Sequence, residues 1–239
     1  MNIFFPKEHI NEARFSLTGE TAEKFLKKNI DLYVEETVQI QDALLKNLIE
    51  TVKVKTISRQ QGLSSADIIC SLNKLSLDDI AHVKQDTLVV SFLDPFNEVE
   101  LISELKNRSI SSISMELVPR TTRAQKMDAL SSQANLAGYS AVIIASNHLE
   151  KALPMMMTAA GTISPSKVFV VGVGVAGLQA IATAKRLGAR VEAFDTREEV
   201  EDQVKSLGAR FVKIDLGETE QTSQGCLLYT SPSPRDQLG

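Results

Sequence analysis

Between Val168 and Arg197 the chain reads VFVVGVGVAGLQAIATAKRLGARVEAFDTR, and few stretches of this length leave so little freedom of fold. An apolar run, Val168–Val171, has strand character. It breaks at Gly172, Gly174 and Gly177, in GxGxxG spacing, where a helical pattern carried by Leu178, Ile181 and Leu187 begins. Gly188 stops that helix, and RVEAF supplies a second strand ending at Asp195. The first glycine permits a tight turn, the second a close approach of backbone to a pyrophosphate, and the third close packing of helix on strand. The new helix would offer its free N–H groups and positive dipole end to phosphate. Asp195 lies 18 residues after Gly177, where a carboxylate accepts hydrogen bonds from ribose hydroxyls and repels a 2′-phosphate, so NAD is expected over NADP. Arg197 pulls the other way, because a guanidinium there could hold that phosphate. Thr196, with Glu199 three residues on, reads as a capping box for the following helix.

Upstream, short strand-like runs (NIFF, DLYVEE, TVKVKT, DIICSL, TLVVSFL, SSISMEL) alternate with helical patterns at TGETAEKFLKK, Ile40–Leu48, Leu77–Val83 and Val99–Asn107. Strands alternating with helices imply a parallel sheet covered on both faces. The fold class is therefore α/β, with two Rossmann-like parallel-sheet domains. The expected divisions are residues 1–140, a connecting helix and linker over 141–166 containing GTISPSK, and a dinucleotide-binding unit over 167–224. That unit offers three strand candidates (VFVV, RVEAF, RFVKIDL) where a dinucleotide fold uses six, so it is expected to be the first half only. Residues 225–239, with their Ser-Pro-Ser-Pro run, read as a non-native or disordered tail.

Composition excludes several classes. A net charge of −4 and the lack of a Lys/Arg cluster with interleaved aromatics argue against a nucleic-acid partner. With no Trp and only 5% aromatics, the core must come from Ile, Leu, Val and Ala. No apolar run approaches the roughly 18–20 residues of a membrane span, and the N-terminus lacks the basic region and cleavage site of a signal peptide, so a soluble chain is expected. Cys70 and Cys226 are too far apart for a metal motif and suit a reducing compartment. His9, His82 and His148 are scattered, and no metal site is expected.

A second polar feature lies in PRTTRAQKMDALSSQANLAGYSAVI, Pro119–Ile143. On a helix beginning near Arg123, Met127, Leu130, Ala134 and Ala137 share one face. Gln125, Asp128, Ser131 or Ser132, and Asn135 share another, with Arg120 and Arg123 just before. Compact hydrogen-bonding groups of this kind suit a carboxamide and a ribose, although a plain polar helix face gives the same pattern.

That stretch, followed by MTAAGTISPSKVFVVGVGVAGLQAIATAKRLGARVEAFDTREEVEDQVKSLGARFV, closely resembles the NAD(H)-binding components of proton-translocating NAD(P) transhydrogenases, alpha subunits of the alanine dehydrogenase/transhydrogenase family. PKEHINEARFSLTGETAEKFLK and VVSFLDPFNEVELISEL resemble the same family more loosely. The resemblance implies hydride transfer from NADH held here to NADP⁺ held by a separate component, coupled to proton passage through a membrane domain. It implies membrane-spanning and NADP(H)-binding partner components, a homodimer, and a place peripheral to the inner membrane on its cytoplasmic or matrix side. Carried over by motif, Arg120, Gln125 and Asp128 would hold the nicotinamide end, with Lys126 and Met127 between them and Ser131 one turn on. Gly172, Gly174, Val175 and Gly177, with Asp195, Thr196 and Arg197, would hold the pyrophosphate and adenosine end.

The chemistry agrees. Oxidising an alcohol or amine calls for a general base, whereas hydride passing between two nicotinamides needs only positioned rings and excluded water. Alanine dehydrogenase is the nearest rival. Arg14 stands where its substrate arginine would be, but Asp94, Pro95 and Phe96 stand where its catalytic histidine is expected, and Asn73 takes the place of its substrate lysine, with Lys74 one position off. Residues 38–64 also lack the Gly-rich, aromatic loop expected of the family. These departures keep open a third reading, an inactive truncated nucleotide-binding fragment.

Overall fold

The computed structural model describes residues 1–9, 11–119 and 121–214. The chain divides into two units, Met1–Ala129 and Leu130–Gly239.

In the first unit, β1 (Asn2–Phe5), α1 (Gly19–Leu26), β2 (Asp31–Glu35), α2 (Ala43–Glu50), β3 (Lys55–Ile57), α3 (Arg59–Ser65), β4 (Ile68–Cys70), α4 (Leu77–His82), β5 (Leu88–Ser91), α5 (Val99–Asn107) and β6 (Ser111–Ser114) follow one another. The six strands form one parallel sheet in the order β3-β2-β1-β4-β5-β6, the doubly wound order in which the chain reverses direction beside its first strand. Both faces of the sheet are covered, which is why Ile3, Phe4 and Phe5 of β1 are all apolar although successive side chains point to opposite faces. Ile3 and Phe5 enter a core with Leu17, Ala22, Leu32, Val34, Leu45, Leu48 and Val54. Phe4 points the other way, into a core with Leu63, Ile69, Ile80, Val89, Leu93, Leu101 and Leu105.

Local chemistry fixes where the helices start. Asp42 caps α2 by accepting from the Leu45 N–H at 2.9 Å, and its second oxygen accepts from the Gly19 N–H at 2.9 Å, tying the start of α1 to the start of α2. Ser76 and Asp79 form a reciprocal capping box on α4. α3 carries no strong apolar period, and the sequence pattern does not reveal it. It is pinned instead by the Ser58 cap and by Gly62, where a Cβ would sit 2.4 Å from the Phe4 ring.

The segment read as one helix from about residue 123 is different. Gln125–Met127 form a 3₁₀ turn, Asp128 leaves helical geometry at φ −74°, ψ 84°, and the helix proper, α6, runs Ala129–His148. Gln125 and Asp128 therefore precede the helix and do not share a face with Ser131 and Asn135. The apolar face is not a core face either: Met127, Leu130 and Ala137 are exposed and Ala134 is half-buried, and α6 buries only Gly138 and Val142.

In the second unit, an antiparallel hairpin, β7 (Met156–Thr158) and β8 (Gly161–Ile163), follows α6. Then come β9 (Lys167–Val171), α7 (Val175–Arg186), β10 (Arg190–Phe194), α8 (Glu201–Ser206) and β11 (Arg210–Phe211). The parallel order β11-β10-β9 is one mononucleotide half of a dinucleotide fold. Val173, Ile181, Ala184, Ala189, Val191, Ala193, Val200 and Val204 build its core. α7 stops where expected: Gly188 takes φ 87° and donates to Lys185 O, while the Ala189 N–H reaches Ala184 O at 3.0 Å. No helix among the described residues is long and apolar enough to cross a membrane, and none of their His, Cys, Asp and Glu side chains group as a metal site.

Candidate functional site

The glycine loop is positioned from below by β9 and from behind by α7. The Gly172 N–H donates to Phe194 O at 2.8 Å, joining the loop to the end of β10. Gly172 turns the chain at φ 91°, which only glycine adopts without strain. Gly177 faces that turn so closely that a Cβ would lie 1.9 Å from Gly172 O and 3.7 Å from Val170 Cγ1. Gly174 differs from Gly177 in its space and from Gly172, where an added Cβ also meets nothing within 4 Å, in its ordinary negative φ. A Cβ on Gly174 would meet nothing within 4 Å, so the space in front of it is unfilled by the described residues. It is the N-cap of α7 with no side-chain cap, which leaves the first-turn N–H groups at Val175, Ala176 and Gly177 without intrahelical acceptors. An open space, uncapped donors and a positive helix end together suit an anionic pyrophosphate.

Behind the loop, Gly138 of α6 packs on the first turn of α7. A Cβ on it would stand 2.1 Å from Ala176 O. This contact sets where α7 begins relative to its neighbour, and the motifs alone do not reveal it. Its only signal in the sequence is a glycine inside an otherwise good helix, which asks for a packing reason.

Asp195 sits at the end of β10 with its side chain only 8% exposed. One carboxylate oxygen accepts from the Val173 N–H at 2.6 Å and from Arg197 Nη2 at 3.2 Å. The other accepts from the Arg197 N–H at 2.9 Å and from Arg197 Nε at 3.0 Å. Burial opposes ionisation, but these donors and the Arg197 charge outweigh it and hold the carboxyl below its ordinary value. Thr196 is half-buried beside it. The expected capping box at Thr196 is not what starts the next turn. A 3₁₀ turn, Glu198–Val200, begins with Arg197 as N-cap and no side-chain cap, and α8 follows from it. Asp195 has taken the Arg197 N–H in an Asx-type turn and so sets that start in place of Thr196.

The second unit thus brings Gly172, Gly174, Val175, Gly177, Asp195, Thr196 and Arg197 to one end of its sheet, and Ser131 lies half-buried in the first turn of α6. Gln125, Lys126, Met127 and Asp128 belong to the first unit. Gln125, Lys126 and Met127 are exposed on the 3₁₀ turn, and Asp128 is half-buried. Arg120 and residues 215–239 lie outside the described residues, and with them the expected tail and part of RFVKIDL.

The residues that would serve an amino-acid substrate are engaged elsewhere. Arg14 forks onto Glu12 at 2.6 and 2.8 Å and, against the opposing effect of burial, holds that carboxyl down at about 2. Asn73 donates from its backbone and side chain to the buried Glu8 carboxylate at 3.0 and 3.3 Å. Lys74 pairs with Glu98, and Phe96 is 80% exposed. Arg14 does line a cleft of about 280 Å³ with Lys7, Glu8, His9 and Glu12.

Residues 4–137 match the alanine dehydrogenase/PNT N-terminal domain, and residues 141–229 match the alanine dehydrogenase/PNT C-terminal domain. The chain belongs to the alanine dehydrogenase/PNT family. Over 242 residues it is 44% identical to an NAD(P) transhydrogenase alpha-subunit chain of Rickettsia prowazekii, covering 99% of this chain and 62% of that one. Over 222 residues it is 40% identical to the corresponding alpha-subunit chain of Rhodospirillum rubrum, covering 90% and 58%. A solved transhydrogenase from Sinorhizobium meliloti superposes with a TM-score of 0.80 at 41% identity, covering 89% of this chain and 64% of that one. An L-alanine dehydrogenase at 21% identity, TM-score 0.74, shares the fold. The chain spans about three fifths of the length of these curated relatives.

Proposed function

We propose that this chain carries the NAD(H) site of a proton-translocating NAD(P) transhydrogenase, an oxidoreductase in which hydride passes from NADH to NADP⁺ held by a partner component. The observation that carries the reading is the end of the β9–α7–β10 unit: open space before Gly174, an uncapped helix start, and the Asp195 carboxylate 18 residues beyond Gly177. The nucleotides themselves supply the hydride chemistry. The chain's share is binding and orientation, for which no acid or base is needed. First-turn N–H groups of α7 receive the pyrophosphate, with Gly172, Gly174, Val175 and Gly177 keeping the backbone near it. Asp195 reads the adenosine ribose, with Thr196 and Arg197 beside it. Gln125 and Asp128 orient the carboxamide end, supported by Arg120, Lys126, Met127 and Ser131. The same reading carries membrane-spanning and NADP(H)-binding partner components, a homodimer, and a position peripheral to the inner membrane on its cytoplasmic or matrix side; the relatives' naming as alpha subunits supports the existence of further subunits.

Fluorescence titration of the chain with NADH, beside NADPH and an Asp195→Ala control, tests this. Saturable NADH binding that is lost in the control is the expected result. A second reading is supported by β9, whose outer edge is unpaired among the described residues while Phe169 and Val171 are 52% and 71% exposed. In that reading this half-fold alone holds no nucleotide, and a folded chain that leaves NADH fluorescence unchanged would favour it.

A further inference from the structure

The Asp195 carboxylate is already full. An ionised carboxylate offers about four lone-pair sites. Here they are taken by the Val173 N–H, the Arg197 N–H, and Nε and Nη2 of Arg197. Two of these donors are backbone groups fixed by the loop and the turn. The other two belong to one side chain, 23% exposed, and only they can leave without unfolding anything. A ribose diol that binds Asp195 must therefore take the place of the Arg197 guanidinium. Resting on the nucleotide-site reading above, we propose that Arg197 is the specificity-determining residue of this site: it occupies the Asp195 carboxylate, competes with the ribose, and, once displaced, softens the rejection of a 2′-phosphate.

The second half of that statement follows from reach. Arg197 is two residues from Asp195, and its Nη2 also donates to Val173 O at 3.3 Å, so a displaced guanidinium stays beside the glycine loop. A planar fork there matches a phosphate better than it matches a hydroxyl. With Arg197 removed, a 2′-phosphate would meet an uncompensated carboxylate, while a 2′-hydroxyl would meet a carboxylate with vacant lone pairs. The two nucleotides should therefore respond in opposite directions.

The test is titration of the full chain and its Arg197→Met and Arg197→Lys variants with NADH and with NADPH, each variant first checked by circular dichroism and melting. Arg197→Met should bind NADH about fivefold more tightly, the size of a partly exposed ion pair released. It should discriminate against NADPH by about tenfold or more beyond the parent. Arg197→Lys, which keeps the charge and loses the fork, should fall between. If the parent binds NADH and loses it in Asp195→Ala, yet Arg197→Met leaves the NADH/NADPH ratio within about twofold of the parent, the Arg197 proposal fails and the site reading survives. If Arg197→Met is folded and loses NADH altogether, Arg197 is a direct ligand and the competition is refuted. NADH binding that emerges only in Arg197→Met would support the proposal, and no binding by any of the chains would take down both.

Discussion

Gly174 and Gly177 separate what the loop does for the fold from what it does for a ligand. At Gly177 a methyl would lie 1.9 Å from Gly172 O and 2.9 Å from Gly172 C, both backbone atoms of a turn that cannot yield without moving β9 or α7. Relieving the overlap needs a shift of about an ångström, and overpacking of this kind costs about 1–3 kcal/mol. At roughly 4–8 °C per kcal/mol for a unit of this size, Gly177→Ala should melt well below the parent. At Gly174 a methyl meets nothing, and its φ −83°, ψ −164° backbone suits any residue. Gly174→Ala should therefore cost the fold only the poorer N-cap, about 0.5–1 kcal/mol and less than Gly177→Ala. The same methyl occupies the space left for a pyrophosphate, so NADH affinity should fall by about tenfold or more, the effect of losing about 1.4 kcal/mol. Thermal melts by circular dichroism and NADH titrations on both variants decide the matter. If Gly174→Ala melts as low as Gly177→Ala, or binds NADH as the parent does, the space before Gly174 is not a phosphate site and the reasoning fails.

Gly138→Ala, far from Gly174 in sequence, should also lower the melting point by the equivalent of about 1–3 kcal/mol, because its Cβ would press on Ala176 O at 2.1 Å; an unchanged melt would show that α6 can slide. Arg59 donates to Glu35 at 2.8 Å and to Asp79 at 2.7 Å, and Glu35 is 8% exposed. After allowance for Arg59's own exposure, Arg59→Met should cost about 1–3 kcal/mol, measured by denaturant melts. For Asp79, burial is outweighed by the Arg59 and Ser76 hydrogen bonds and its pKa is lowered. The stability it contributes is therefore full above the unfolded carboxyl value near 3.9 and is lost as pH falls through the lower folded value; Asp79→Asn should flatten that acid limb. Burial first, and then the Glu8 charge, push the Cys70 thiol up to about 11. Labelling at pH 8, read at the Cys70 peptide by mass spectrometry, should be slow until denaturant is added. Asp195→Asn keeps an oxygen for the Val173 N–H but sets an amide NH2 against the Arg197 donors and takes the carboxylate from that guanidinium. It should therefore lower the melt by the equivalent of about 1–3 kcal/mol, weaken NADH and narrow its margin over NADPH; a widened margin would refute the charge argument.

What can be read in the sequence is what a local period or a fixed spacing encodes. Five strands of the first sheet fall on the apolar or β-branched runs, whereas β3 overlaps TVKVKT only at Lys55 and Thr56 because the chain is still turning at Val52, φ 54°. The β9–α7–β10 unit announces itself as glycines and a carboxylate at set distances. Two kinds of feature escape. One is structure made by packing across long separations: α3 holds its place through Gly62 on Phe4, and α7 is set by Gly138 on Ala176, each marked locally by no more than a lone glycine. The other is competition between short polar groups. Thr196 and Glu199 have the spacing of a capping box, but Asp195 accepts the Arg197 N–H in an Asx-type turn and the 3₁₀ turn starts with Arg197 as its N-cap instead. Gln125 to Asp128 have helical spacing, yet Asp128 leaves the helical region and the helix starts one residue later. Periodicity registers which residues could share a face. It does not register whether the backbone has begun to turn.

Asp195 shows why that distinction matters for function. Spacing from the glycines makes it a ribose acceptor, and that argument treats its carboxylate as idle until a ligand arrives. In the folded chain it is the tie between the end of β10, the Val173 N–H of the glycine loop and the turn that starts at Arg197. The backbone half of this work is compatible with a bound ribose, because two fixed donors leave about two lone pairs in play. The side-chain half is not, since the guanidinium and the diol want the same lone pairs. Affinity at this site is then a difference between two sets of hydrogen bonds to one buried carboxylate, and the residue that sets the difference is the arginine two positions on.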